Sequence, residues 1–163
     1  MHYRKAEIQD AEGLAHVHVH SWRTTYSGIV SGEYLQSLSI AERKNKWIGI
    51  LSGPHHTYVC EREDGKIVGF VSFGKERTGD YEGELYALYL LKEHQGKGIG
   101  EELFGIATSG LRNLGFTTMW IWVLKENPSK HFYYKYKSEL IKEKILTIGN
   151  ELHREEGLLL KFK

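Results

Sequence analysis

Residues 82–111, "EGELYALYLLKEHQGKGIGEELFGIATSGL", constrain the fold more than any other stretch of the chain. An apolar run long enough for one strand ends in a cluster of three alternate glycines, Gly96, Gly98 and Gly100. Immediately afterwards the apolar positions Leu103, Ile106, Ala107 and Leu111 recur at helical spacing, and Gly115 offers a C-terminal cap. Strand, glycine loop and helix therefore succeed one another without a linker. Glycines let backbone N–H groups converge without Cβ clashes, and the helix aims its positive end at the loop, so the segment suits an anion such as a pyrophosphate. It is not a kinase-type phosphate loop, because Lys97 sits between glycines and no Ser or Thr comes after it. Nor does it complete the dinucleotide pattern GxGxxG, since Gly96, Gly98 and Gly100 give GxGxG and Glu102 is no substitute for a glycine. A tight strand-to-helix turn is the plain structural alternative.

The rest of the chain supplies partners for this unit. "HYRKAEI" reads as a first strand. Asp10 then offers an N-cap for a helix over "AEGLAHVHVHSWRTTY". A short helix comes next in "SGIVSGEYLQSL". Ser39 and Glu42 form a capping-box pattern ahead of a helix with Trp47, Ile48 and Leu51 as its buried stripe. "TYVCERE" and "KIVGFVSFG" flank Asp64-Gly65, a hairpin signal. "TTMWIWVL" is apolar enough for a strand buried on both faces. Asn127 and Pro128 open a short helix over "NPSKHFYYKY", and two strands around "LIKEKILTI" and "LLLKFK" close the chain. This order predicts one α+β domain over residues 1–163, a three-layer arrangement with one mixed sheet and helices on its faces.

Composition narrows the function. With 22 Lys+Arg against 21 Asp+Glu, the net charge of +1 gives no support for nonspecific nucleic-acid binding. Cys60 is the single cysteine, so no internal disulfide can form and the chain reads as cytoplasmic. The polar start "MHYRKAEIQD" has no apolar leader core, and no apolar run approaches the ~20 residues of a membrane span. In "HVHVH" only His16 and His20 share a helical face, with Glu12 one turn earlier and His18 pointing away. No further ligand motif is present, so no metal is expected. Cys60 reads as a buried inert thiol.

The flanks of the glycine loop resemble the acetyl-CoA site of the GCN5-related N-acetyltransferases (GNAT). These carry Q/R-x-x-G-x-G/A after a central strand, matched here by Gln95, Gly98 and Gly100. "WIWVLKENPSKHFYYKY" is similar to the family's second half-site, an asparagine and then a helix with an aromatic pair, matched by Asn127, Tyr133 and Tyr134. The likeness covers nearly the whole chain. There are departures. Lys130 replaces a small residue, Ser138 and Glu139 replace a frequent Gly-Phe, and Lys92 replaces a frequent proline.

The resemblance implies a twisted, mostly antiparallel sheet and transfer of an acetyl group from acetyl-CoA to an amine in a ternary complex. The amine is a small molecule or a protein group, and a homodimer is common in the family. Backbone N–H groups of Gln95, Gly96, Lys97, Gly98, Ile99 and Gly100 would hold the pyrophosphate. Lys97 adds charge or is simply a solvated lysine. The pantetheine arm would pair with the backbone of Leu88, Tyr89 and Leu90, with an N–H near Leu90 polarising the carbonyl, and Asn127 would hydrogen-bond it. Tyr134 is the expected general acid, with a core aromatic as the alternative and Tyr133 as its neighbour. Glu84 is the expected base, acting through a water. Glu82 shares its face by strand alternation, and a solvent-facing carboxylate is the alternative. Trp22 and Tyr26 would cover the acceptor site or pack the core. The alternative function is a non-catalytic acyl-CoA sensor.

Overall fold

The structure, a computed structural model, describes residues 1–163. Seven strands form one sheet: β1 (His2–Lys5), β2 (His56–Glu61), β3 (Ile67–Lys75), β4 (Gly83–Leu90), β5 (Thr118–Leu124), β6 (Glu139–Ile148) and β7 (Glu151–Lys161). Their spatial order is β1-β2-β3-β4-β5-β7-β6. Every neighbouring pair is antiparallel except β4 and β5, which run parallel. Five helices accompany the sheet: α1 (Ala11–Thr25), α2 (Gly32–Ser37), α3 (Ile40–Leu51), α4 (Ile99–Asn113) and α5 (Lys130–Tyr134).

The alternation of β3 sets the layers. Phe70 points to one face, where Trp47 of α3 meets it edge-on at 4.9 Å and His18 of α1 stacks nearby. Gly69 and Phe73 point to the other face, toward Leu103 and Gly110 of α4. A Cβ at Gly110 would lie 2.4 Å from the Phe73 ring, so only glycine lets α4 settle this close to the sheet. The core thus has two sides, with Leu14, Val17 and Trp47 on one and Leu103, Ala107 and Leu111 on the other. Each leucine or valine among them, taken from water, contributes roughly 1.5–3 kcal/mol.

Local signals behave as the residues dictate, with three corrections. Ser39 Oγ accepts from the Glu42 amide at 3.2 Å and caps α3. Asp10 precedes α1 but does not cap it, because its carboxylate accepts from Arg4 at 2.8 and 2.9 Å and from the Glu7 amide at 2.7 Å. The α3 stripe is narrower than expected. Trp47 is buried while Ile48 is 38% exposed, since α3 leans on α1 rather than lying flat on the sheet. β7 begins at Glu151, earlier than its apolar end suggests, because it pairs along the full length of β6. No helix is long and apolar enough to cross a membrane.

Candidate active site

The parallel strands β4 and β5 are in register only where Gly83, Glu84 and Leu85 face Met119, Trp120 and Ile121. Just beyond, the β3–β4 register slips between Ser72 and Phe73, leaving Tyr86 as an extra residue on β4. Such a bulge bends its strand. β4 therefore parts from β5, and residues 86–90 keep an unpaired backbone edge. The gap is a cleft of about 470 Å³ walled by both strands, by α1 and by the start of α4.

The glycine loop closes one end. Leu91 donates to Val68 O at 2.9 Å and anchors the end of β4, while Gln95 Nε2 donates to Leu90 O at 3.1 Å. Gly96 and Gly98 adopt φ of 74° and 82°, in the left-handed region that side chains disfavour. A Cβ at either would meet no protein atom, so the need for glycine is backbone conformation and the open space above it. Gln95, Gly96, Gly98 and Gly100 all line the cleft. Lys97 is exposed outside the lining, and the Ile99 side chain is 4% exposed in the core, so those two residues offer the cleft only backbone. This is an open nest of amides at the positive end of a 15-residue helix, fitted to a pyrophosphate.

At the inner wall, Asn127 is buried and held twice. Its Oδ1 accepts from the Ser129 amide at 2.8 Å, and its Nδ2 donates to the Tyr26 hydroxyl at 3.3 Å. Trp22 and Tyr26 both line the cleft, their rings 4.6 Å apart. Tyr26 also belongs to a small apolar cluster with Leu124 and Ile148. Of the aromatic pair, Tyr133 lines the cleft and Tyr134 does not. Burial raises the Tyr133 hydroxyl's pKa, so it stays protonated through neutral pH. Lys137, at φ 62°, is the one non-glycine residue in the left-handed region, a conformation that glycine adopts more readily.

The carboxylates are also redistributed. Glu84 is 1% exposed and does not line the cleft. Its oxygens accept from Arg77 Nη2 at 2.6 Å and from Arg77 Nε and the Arg77 amide at 3.2 Å. A carboxylate saturated in this way is not a free base. Glu82 sits before β4, at the far end from the glycine loop, and binds the Thr117 amide and the hydroxyls of Thr117 and Thr118. These bonds hold its pKa below the usual carboxylate range. Two carboxylates line the cleft, Glu101 beside the glycine loop and Glu155 of β7, the latter paired in register with Leu124. Burial raises its pKa against the opposing pull of Lys144 and Arg77. Its sequence context, "ELHREEGLLL", is a charged run without a motif; only the β5–β7 register reveals which of its acids faces the cleft. Lys130, the departure from a small residue, is matched by the buried Glu156, 3.1 Å from its Nζ. Cys60 is fully buried in β2. No three His, Cys, Asp or Glu side chains converge as a metal site would require.

Comparison with known proteins fits this geometry. The Acetyltransferase (GNAT) family profile matches residues 17–137. The chain belongs to the GNAT family. The uncharacterized N-acetyltransferase YuaI of Bacillus subtilis is 40% identical over 158 residues, spanning 95% of this chain and 90% of that protein. Spermidine N(1)-acetyltransferase of Thermoplasma acidophilum is 30% identical over 138 residues, spanning 81% and 84%. The crystal structure of PaiA N-acetyltransferase from Thermoplasma acidophilum in complex with coenzyme A superposes with a TM-score of 0.80 at 27% identity, covering 99% of this chain and 98% of that one. The GNAT fold, a mixed and mostly antiparallel sheet with helices on both faces, is the one described above, and the protein is an acyltransferase.

Proposed function

We propose that residues 1–163 form one N-acetyltransferase domain that moves the acetyl group of acetyl-CoA directly to an amine. The observation that carries this reading is the parting of β4 from β5 beside a glycine nest at a helix N-terminus. One end of the cleft thereby suits a diphosphate, and its wall offers unpaired backbone to an extended amide-bearing arm. That a structurally similar GNAT protein was crystallised with coenzyme A supports the same choice here.

Acetyl-CoA supplies the activated acyl carbon. The amides of Gln95 to Gly100 hold its diphosphate, and the edge of residues 88–90 aligns the arm, with an N–H near Leu90 stabilising charge on the carbonyl oxygen. Glu155 takes a proton from the incoming ammonium, so that the free amine forms the C–N bond. Its raised pKa brings it closer to the neutral range where such a base works. As the C–S bond breaks, Tyr133 gives its proton to the departing sulfur, while the surplus proton on the new amide nitrogen passes to solvent, from which Tyr133 is reprotonated. Transfer without a protein-bound acyl group fits the seclusion of Cys60, the only thiol.

The test is a thermal shift with acetyl-CoA and CoA against ATP and NADH, and then thiol release with a panel of amines. A ligand at ~100 times its Kd adds about 2.7 kcal/mol of stability. Stabilisation by both CoA species and not by the controls, then amine-dependent thiol release, is expected. No shift at millimolar acetyl-CoA sinks the proposal. Binding without transfer to any amine makes the protein a sensor instead.

A further inference from the structure

The acceptor end of the cleft carries a charge pattern that restricts which amine enters it. Four charged side chains line the cleft: Arg77, Glu101, Lys135 and Glu155. Glu101 and Lys135 pair with each other at 2.7 Å beside the glycine loop. Arg77 and Glu155 remain for the acceptor, close enough to influence each other but not ion-paired. The same cleft is lined by Trp22, Tyr86, Trp122, Leu146 and Ile148, aromatic and aliphatic side chains.

Arg77 is built to face outward. Its Nε and Nη2 donate to buried Glu84, which fixes the guanidinium plane over the Tyr86 ring at 5.1 Å. Nη1 is left free, and the side chain is 57% exposed. Beyond it lies a second depression of about 420 Å³, which shares Arg77 and Tyr86 with the cleft and adds His55, Lys75 and Thr78. The one carboxylate lining it, Glu76, is consumed by its own loop. It accepts from the amides of Thr78, Gly79, Asp80 and Tyr81 and from the Thr78 hydroxyl. A polycation reaching past Glu155 would meet Arg77 and Lys75 and no available carboxylate.

We infer that the acceptor is a small zwitterionic amine with an apolar body, its ammonium at Glu155 and its carboxylate at Arg77. This rests on the acetyl-transfer reading above and adds the substrate class. A planar guanidinium with a free edge is the side chain that carboxylates select. The aromatic and aliphatic lining takes the apolar body, and Lys75 adds attraction from the rim.

The test compares kcat/KM for acceptors that differ only by the carboxylate, phenylalanine against phenethylamine and leucine against isoamylamine, with spermidine as the polycation. The carboxylated member is expected to win by at least about ten-fold, equivalent to ~1.4 kcal/mol, through KM more than kcat. The double substitution Arg77→Gln/Glu84→Gln keeps the buried pair neutral and should bring the ratio toward one. Lys75→Gln, at the exposed end of β3 and outside the Arg77–Glu84 ion pair, should reduce the ratio without threatening the fold. Equal turnover of each pair, or spermidine as the best acceptor, overturns the inference and leaves acetyl transfer standing. Stabilisation by acetyl-CoA with transfer to none of these or any other amine overturns the acetyl-transfer reading and this one with it.

Discussion

His18 should make the protein acid-labile by a calculable amount. Its ring lies among Trp22, Trp47, Phe70 and Tyr89 at centroid distances of 5.3 to 6.3 Å. Nδ1 is sealed from solvent without a hydrogen-bond partner. Burial, with Arg43 and Lys46 nearby, depresses its pKa from 6.5 to about 3. An unfolded chain binds this proton as pH falls through 6.5, whereas the folded one refuses it until about 3. Stability due to His18 is therefore intact above 6.5 and declines steadily across that window. Each pH interval costs ~1.4 kcal/mol, so acidification from pH 7 to pH 5 removes about 2 kcal/mol. For a chain of this size that lowers Tm by about 4–8 °C. The assay is thermal or urea unfolding at both pH values for the native protein and for His18→Leu. His16 and His55, also depressed, and the Arg4–Asp10 pair contribute equally to both proteins and cancel in the difference. If both proteins lose the same stability between pH 7 and pH 5, His18 protonates freely in the folded state and the reasoning is wrong.

Tyr133→Phe should lower kcat by about 10²-fold or more while leaving acetyl-CoA affinity unchanged, and Tyr134→Phe should behave as the native enzyme. The reverse pattern would return the acid role to Tyr134. Activity should climb with pH through the raised pKa of Glu155, and Glu155→Gln should lower kcat and erase that limb of the profile. Gly98→Ala forces a side chain into φ 82°, so it should destabilise the fold by ~1–3 kcal/mol and raise the KM for acetyl-CoA far more than it changes kcat. Arg77→Ala strands Glu84 as an unpaired buried charge, and chemical denaturation should show a loss of roughly 3 kcal/mol that Arg77→Ala/Glu84→Leu largely restores.

The glycine loop and the helix behind it were legible because their requirements are local. Positive φ at Gly96 and Gly98 demands glycine, and the spacing of Leu103, Ala107 and Leu111 declares the helix behind them. The Asp64-Gly65 turn and the Ser39 cap were readable for the same reason, whereas the short helix starts at Lys130 with Ser129 rather than Asn127 as its N-cap. The acceptor half was not legible, because each of its decisions is made by a distant partner. Glu84 is occupied by an arginine across the β3–β4 connection, and Glu82 by threonines that open β5. Glu155 enters the cleft only because β7 pairs with β5 in one register. Of Tyr133 and Tyr134, Tyr133 lines the cleft, and nothing local in their short helix marks which of the two does. Strand alternation put Glu82, Glu84 and Tyr86 on one face, but the bulge at Tyr86 interrupts that count.

Three registered residue pairs are all that join β4 to β5. The sheet is in effect two leaves sharing a short seam, one carrying the glycine loop and the other carrying Asn127, Tyr133 and Glu155. A molecule gripped by both leaves acts as a staple across the gap. On the acetyl-transfer reading, the ligand-free protein is the form most open to proteases and heat, so its lifetime in a cell would track the supply of the acyl donor it consumes.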